Sequence, residues 1–176
     1  MRAADEYWAT AVHESAHAVA ALHEGLSLRF IEIGMERRLF RAVGTGRVRL
    51  CEPGYEHDVS GEGGPHEYDV HPDEMLVQAL AAYPAEYRAI REMGYGRWRA
   101  RSRVREATGA DMTIASGYAT YSVMSWRSAW SRAEAIVDEN WALIVAVAEK
   151  VVDEGGYLPG LDVIHVVEHE WSVSAT

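Results

Sequence analysis

The chain has 176 residues, of which 48% are hydrophobic, which is enough for one domain with a hydrophobic core. Its 17 Lys and Arg residues against 27 Asp and Glu residues give a formal net charge of −10, which argues against a general nucleic-acid binder. The single cysteine, Cys51, excludes an intrachain disulfide and a zinc site built from cysteines of this chain. We therefore predict a single domain over residues 1–176, without a nucleic-acid partner.

Neither secretion nor membrane insertion is indicated by the sequence. The first residues are acidic and lack the apolar segment of a signal peptide. The most apolar run, Ala142 to Ala148, is far too short to span a bilayer. No Gly-x-x-x-x-Gly-Lys-Ser/Thr motif occurs, so the chain contains no ATPase of this type. We expect a cytoplasmic protein without a membrane contact.

The first predicted element is a helix from Asp5 to Glu24 that ends at Gly25. It contains His-Glu-x-x-His, with His13 and His17 one helical turn apart and about 40° apart around the axis. Two imidazoles in this arrangement can bind one tetrahedral Zn²⁺.

Glu14 lies on the flank of the same helix face, where it can reach a metal-bound water as a general base. The alternative is a chance arrangement on a helix surface. However, the flanking residues are mostly Ala and Val, which predicts a buried helix. An unpaired histidine or glutamate would be costly there, so the motif predicts a metal site.

Two strands follow, Leu28 to Ile33 and Ala42 to Leu50, and they can form an antiparallel pair. The glycines of the second strand indicate a bulge or a close backbone approach. The edge of this strand could bind an extended peptide by strand addition, with Gly44, Thr45 and Gly46 as the substrate-binding residues.

Residues 52–72 read as a long loop that is rich in Gly, Pro and charged residues. Its histidines, His57, His66 and His71, could each bind a metal, but solvated loop histidines are the simpler interpretation. A helix is predicted next, from Asp73 to Met93, which Pro84 should kink or split.

Arginines occupy every second position after the stop signal Gly94-Tyr95-Gly96; they are Arg97, Arg99, Arg101, Arg103 and Arg105. We interpret this run as a solvated loop that balances the acidic surface. A contact with phosphate or RNA is the alternative.

Three further elements complete the prediction. A third helix opens at Thr108 and continues towards Met124, and a fourth extends from about Ser128 to Asp153, where Gly155-Gly156 ends it. The tail from Leu158 to Glu170 is a short helix or an extended segment, on which His165 and His169 are interpreted as surface residues.

Catalytic zinc usually has three protein ligands and a water. Asp111 is the best candidate for the third ligand, but Thr108-x-x-Asp111 is also a capping-box pattern, in which Asp111 would only cap its own helix. Other candidates are Glu106, Asp73 and the histidines of the 52–72 loop.

The order of these motifs resembles the protease domain of the FtsH-type AAA+ zinc metalloproteases. In that family the metal helix reads His-Glu-Ala-Gly-His-Ala-Val, and here it reads His-Glu-Ser-Ala-His-Ala-Val from His13 to Val19. Val43-Gly44-Thr45 corresponds to the family's Gly-Tyr-Thr turn, and Leu80 to Glu86 is a loose match to Leu-x-Gly-Arg-Ala-Ala-Glu. Thr108-Gly109-Ala110-Asp111 matches Thr-Gly-Ala-x-Asn-Asp with two residues missing.

The resemblance implies that Asp111 is the third zinc ligand, because the aspartate of the last motif has this role in the family. It also implies a polypeptide substrate and a separate ATPase or unfoldase as a partner, while the oligomeric state stays open. The chain differs from the family in having Ala16 in place of a glycine, in residues 97–107, which look like an insertion, and in lacking the AAA+ module and the membrane anchor.

We therefore expect a mainly helical α+β fold of zincin type, with a small sheet over the His-Glu-x-x-His helix. The expected function is zinc-dependent hydrolysis of peptide bonds in unfolded or flexible polypeptides. His13, His17 and Asp111 would bind Zn²⁺, and Glu14 would act as the general base. The alternatives are a catalytically silent zinc-binding interaction module and a purely structural metal-binding domain, neither of which needs Glu14.

Overall fold

The computed structural model describes residues 1–38, 41–51 and 71–174. Their elements are, in chain order, α1 (Ala3–His23), β1 (Leu28–Arg38), β2 (Arg41–Leu50), α2 (Pro72–Glu92), α3 (Arg97–Ala107), α4 (Gly109–Ala119), α5 (Trp126–Glu139), α6 (Trp141–Asp153), β3 (Tyr157–Pro159) and α7 (Gly160–Ser174). This is the mainly helical α+β fold that the sequence predicts, with one small antiparallel sheet.

Helix α1 is the centre of the fold. Its residues from Ala9 to Ala21 are all buried, and α2, α5, α6 and the sheet pack around it. A helix that is apolar on all sides is expected in such a position. The chain leaves α1 through the predicted glycine: Gly25 has φ 79°, and the Leu26 N–H donates to the Ala21 carbonyl at 2.8 Å, as in a Schellman motif.

Among the described residues the sheet has the strand order β2-β1-β3, so β2 is an outer strand of this sheet. The predicted antiparallel pairing of β1 and β2 is confirmed, with Ile33 opposite Gly46 and Gly34 opposite Thr45. β3, at the start of the tail for which the sequence predicts a short helix or an extended segment, pairs with the other edge of β1. Gly160 follows β3 and begins α7.

The interpretation of the arginine run as a loop is wrong, because residues 97–107 form helix α3. Ala100 and Val104 are buried one turn apart and pack against Ala9 and Ile90. On a helix, alternate residues point in different directions, so Arg103 faces inward while the other four arginines are exposed. In the sequence, the regular arginine spacing is more prominent than the pair Ala100 and Val104, whose burial favours a helix in this segment.

One alternative at Pro84 is decided, and one helix boundary differs from the prediction. Pro84 does not split α2, which continues from Pro72 to Glu92. The predicted fourth helix is divided into α5 and α6 at Asn140, whose side chain donates to the Ile136 carbonyl at 2.9 Å. Such a side-chain hydrogen bond offers the backbone an alternative to the helix.

Within the described ranges, no helix combines the length and the apolar character needed to cross a membrane. The loop histidines His57 and His66 lie outside the described residues, whereas His71 is exposed directly before α2.

Candidate metal centre

The His-Glu-x-x-His segment lies in the buried middle of α1. His13, Glu14 and His17 are each no more than 7% exposed. The helical spacing places the two imidazoles side by side, with ring centroids 4.9 Å apart and planes inclined at 78°. Both rings are therefore part of one site, as their spacing in the sequence predicts.

Helix α4 brings Asp111 to this pair. Its Oδ2 atom lies 3.2 Å from His13 Nε2, and its Oδ1 atom lies 3.6 Å from His17 Nε2. Ligand atoms at zinc distances in a tetrahedral arrangement are roughly 3.3 Å apart. One ligand atom from each residue lies within 4.8 Å of the others, so these three side chains could hold a metal ion.

One oxygen of the Asp111 carboxylate is also without a hydrogen bond. Its Oδ2 atom is buried and accepts no hydrogen bond from the described residues, although His13 Nε2 is close. A buried carboxylate oxygen without a partner is costly, and a cation between the three side chains would compensate it. The donor set of two imidazoles and one carboxylate suits a divalent transition metal.

The capping interpretation of Asp111 is not supported by the hydrogen bonds at this helix start. In a capping box, the Thr108 side chain accepts a bond from the first turn and its N–H donates to Asp111. Here the Thr108 hydroxyl and the Thr108 N–H both donate to the Val104 carbonyl. Asp111 is thus directed at the histidines.

The ring nitrogen of each histidine that does not face Asp111, Nδ1, faces an acceptor on α2. His17 Nδ1 lies 2.8 Å from the Gln78 carbonyl oxygen, and His13 Nδ1 lies 3.0 Å from Glu86 Oε2. Each Nδ1 then donates a proton, so Nε2 is the nitrogen that would bind a metal. Metal-binding histidines commonly have a carboxylate or carbonyl partner of this kind.

Glu86 is a residue of the site that the sequence did not predict. It is fully buried, on a helix face whose other buried members are mostly alanines. A glutamate on an apolar helix face is costly unless it is paired. That pattern was the available signal, but the partner, 73 residues away in the sequence, becomes visible only in the fold.

The buried charges shift several pKa values. Burial lowers the pKa of the His13 imidazole, but the carboxylates of Asp111, Glu86 and Glu14 outweigh this effect, so its pKa lies well above 6.5. Burial raises the pKa of the Asp111 carboxyl group, whereas the two histidines bring it well below its usual range. A metal would therefore displace a proton from this site at neutral pH.

Glu14 differs from Asp111 in its surroundings. Burial raises the pKa of its carboxyl group, and the nearby histidines oppose this effect only in part. Its Oε1 atom lies 4.0 Å from His13 Nε2, and Glu14 is not a member of the three-residue group that could hold a metal. It thus lies beside the potential ligands, with a proton affinity raised by burial.

Strand β2 lies directly on this part of α1. A Cβ atom on Gly46 would come within 2.5 Å of Glu14 Cγ, and one on Gly44 would come within 2.9 Å of Thr10 Cβ. Only glycine allows the strand to approach so closely. The predicted close backbone approach is confirmed, and Gly46 is the substrate-binding candidate nearest to Glu14.

Of the other ligand candidates, the two acidic residues within the described ranges, Asp73 and Glu106, are not members of this group. Asp73 accepts hydrogen bonds from the N–H groups of Val123 and Met124, at 3.0 and 3.1 Å, and from the Ser122 hydroxyl. Glu106 is exposed on α3.

Comparison with known proteins does not add to this picture. No protein-family model matches the sequence, and no curated protein matches it.

Proposed function

We propose that this protein is a zinc-dependent metallopeptidase that hydrolyses unfolded or flexible polypeptides. The observation that carries the proposal is the position of Glu14, buried beside the His13, His17 and Asp111 group. A structural metal site needs no carboxylate next to its ligands, whereas hydrolysis needs a base at that position. The resemblance to FtsH-type protease domains supports the same function.

A zinc ion in this site would supply Lewis acidity, which polarises a peptide carbonyl and acidifies a water. Glu14 would accept the proton of the attacking water and transfer it to the leaving amine, as a general base and then a general acid. Burial favours this role because it raises the proton affinity of the carboxylate.

The outer strand β2 offers a way to bind the substrate. An extended peptide that pairs with its edge would run past Gly46, whose backbone lies against Glu14. Strand addition requires an extended backbone, so folded proteins would first have to be opened. In this proposal a separate ATPase would supply that work for stable substrates.

The direct test compares casein with a tightly folded protein as substrates for the zinc-loaded chain. We expect cleavage of casein only, its loss in excess chelator, and its recovery when zinc is restored. Failure of the zinc-loaded protein to cleave casein and a library of flexible peptides would favour the silent interaction module. Degradation of the folded protein without ATP would contradict the substrate class.

The contact between Gly46 and Glu14 gives a second prediction. In Gly46→Ala the new methyl group displaces the Glu14 side chain, while the metal ligands stay in place. We expect unchanged zinc binding but about a 10²-fold lower kcat/KM, the scale of a small misplacement of a catalytic group. Gly34→Ala is the matched control, because its Cβ would lie 3.4 Å from Thr45 Oγ1, an ordinary contact. Equal activity of the two variants would show that Gly46 does not position the base.

A further inference from the structure

One arginine of α3 is connected to the metal centre. The Arg103 side chain is 11% exposed, and its Nη1 atom lies 3.1 Å from Glu86 Oε1, within ion-pair range. The other oxygen of the same carboxylate, Oε2, lies 3.0 Å from His13 Nδ1. Arg103, Glu86 and His13 therefore form a continuous chain of contacts that ends at a candidate metal ligand.

Arg103 is itself held in place from two sides. Its Nε atom donates to Glu6 Oε2 of α1 at 2.7 Å. The helix that bears it is anchored because Ala100 and Val104 pack in a buried cluster with residues of α1 and α2. The guanidinium thus joins two buried acidic side chains from two helices, which the planar fork of arginine suits better than a lysine ammonium does.

The charge of Glu86 explains why this arginine matters. The carboxylate is fully buried, and an uncompensated charge in that position would be costly. Arg103 compensates the charge as an ion pair with one oxygen, Oε1, to which it makes no hydrogen bond, while the other oxygen is directed at His13. Without the guanidinium, the carboxylate would lose the positive charge that holds Oε1 away from the imidazole.

We propose that Arg103 is a positioning residue of the metal centre, which acts by orienting Glu86 and, through it, the His13 ring. This inference rests on the proposed metal site. Loss of an outer partner of a metal ligand typically weakens metal binding by about 10- to 100-fold. Arg103 lies in the segment that looks like an insertion relative to FtsH-type domains, so the contact would be a property of this chain.

The test measures the zinc affinity of the intact protein by competition with a chelator. Arg103→Met is expected to weaken zinc binding by about tenfold or more. Arg99→Met is the matched control on the same helix, since Arg99 is exposed and lies over the Tyr95 ring at 5.0 Å. We expect this control to bind zinc as tightly as the wild type does.

A double-mutant cycle separates positioning from general support of the fold. If Arg103 acts through Glu86, then Arg103→Met should change zinc affinity by no more than about twofold in a Glu86→Gln background, because the two losses share one path. Arg103→Lys, which retains the charge, should recover part of the affinity, and it replaces the methionine variant in the cycle if that variant does not fold.

Two results would overturn the inference: an unchanged zinc affinity of Arg103→Met in the wild-type background, or the same loss in both backgrounds. Neither result would affect the proposed function. That function fails separately, if the wild-type protein binds no zinc.

Discussion

Glu14→Gln is expected to retain one zinc per chain and to lose at least ~10²-fold in kcat, the scale for removal of a general base. Glutamine has nearly the shape of glutamate, so the contact with Gly46 and the burial in α1 are preserved. It has no basic carboxylate, so the attacking water keeps its proton. The measurements are zinc content and the steady-state rate on a flexible peptide.

Glu24→Gln is a suitable control for this variant. Glu24 lies at the C-terminal end of the same helix, has a side chain that is 1% exposed, and accepts a hydrogen bond from Arg132 at 2.8 Å. Its substitution removes a carboxylate with a buried side chain at the C-cap of α1, away from the metal ligands. We expect a change in stability without a change in rate. Full activity of Glu14→Gln would exclude Glu14 as the base.

The second large effect is expected at Asp111. Its two interpretations, as a metal ligand and as a helix cap, predict opposite results for its substitution. As a ligand, Asp111 supplies negative charge to the metal, and neutral asparagine replaces it poorly. Asp111→Asn should then weaken zinc binding by more than the ~10- to 100-fold that loss of an outer partner costs, and activity should disappear with it. As a cap, asparagine would serve nearly as well, with a cost well under ~1 kcal/mol.

Asp162→Asn provides the matched control. Asp162 is the third residue of α7, as Asp111 is the third residue of α4, but it is exposed. Both substitutions remove a first-turn charge, so they should have a similar electrostatic effect on their helices. Thermal unfolding in excess chelator separates stability from metal binding. Zinc affinity of Asp111→Asn equal to that of the wild type would remove Asp111 from the ligand set.

The structure also shows why the two histidines alone do not define the site. Helix α1 fixes the separation of His13 and His17. Each imidazole ring can still rotate about its side-chain bonds unless Nδ1 makes a hydrogen bond. α2 holds both rings, through the Gln78 carbonyl and the Glu86 carboxylate. α4 then closes the group with Asp111. The candidate centre therefore depends on the packing of α2 against α1 and of α4 against α2.

The local features of this protein can be read from its sequence alone. The spacing of four residues on a helix places His13 beside His17, and the glycines Gly25, Gly94 and Gly155 mark helix ends with positive φ. The sequence also predicts the β1–β2 pair and the close approach of its second strand to other chain segments. These features depend on neighbours within a few residues, or on a missing side chain, and both can be read directly from the sequence.

The contacts between residues that are distant in the sequence follow from the packing of the helices. Arg103 faces inward because Ala100 and Val104 pack on α1 and α2, and the alternating arginines gave no indication of this. Glu86 reaches His13 across 73 residues of sequence. Asp111 had two local interpretations, helix cap and metal ligand, and the helix packing turns it towards the histidines. Such contacts depend on how helix faces pack against one another. The periodicity of apolar residues predicts which face of a helix is buried, but not which element covers that face.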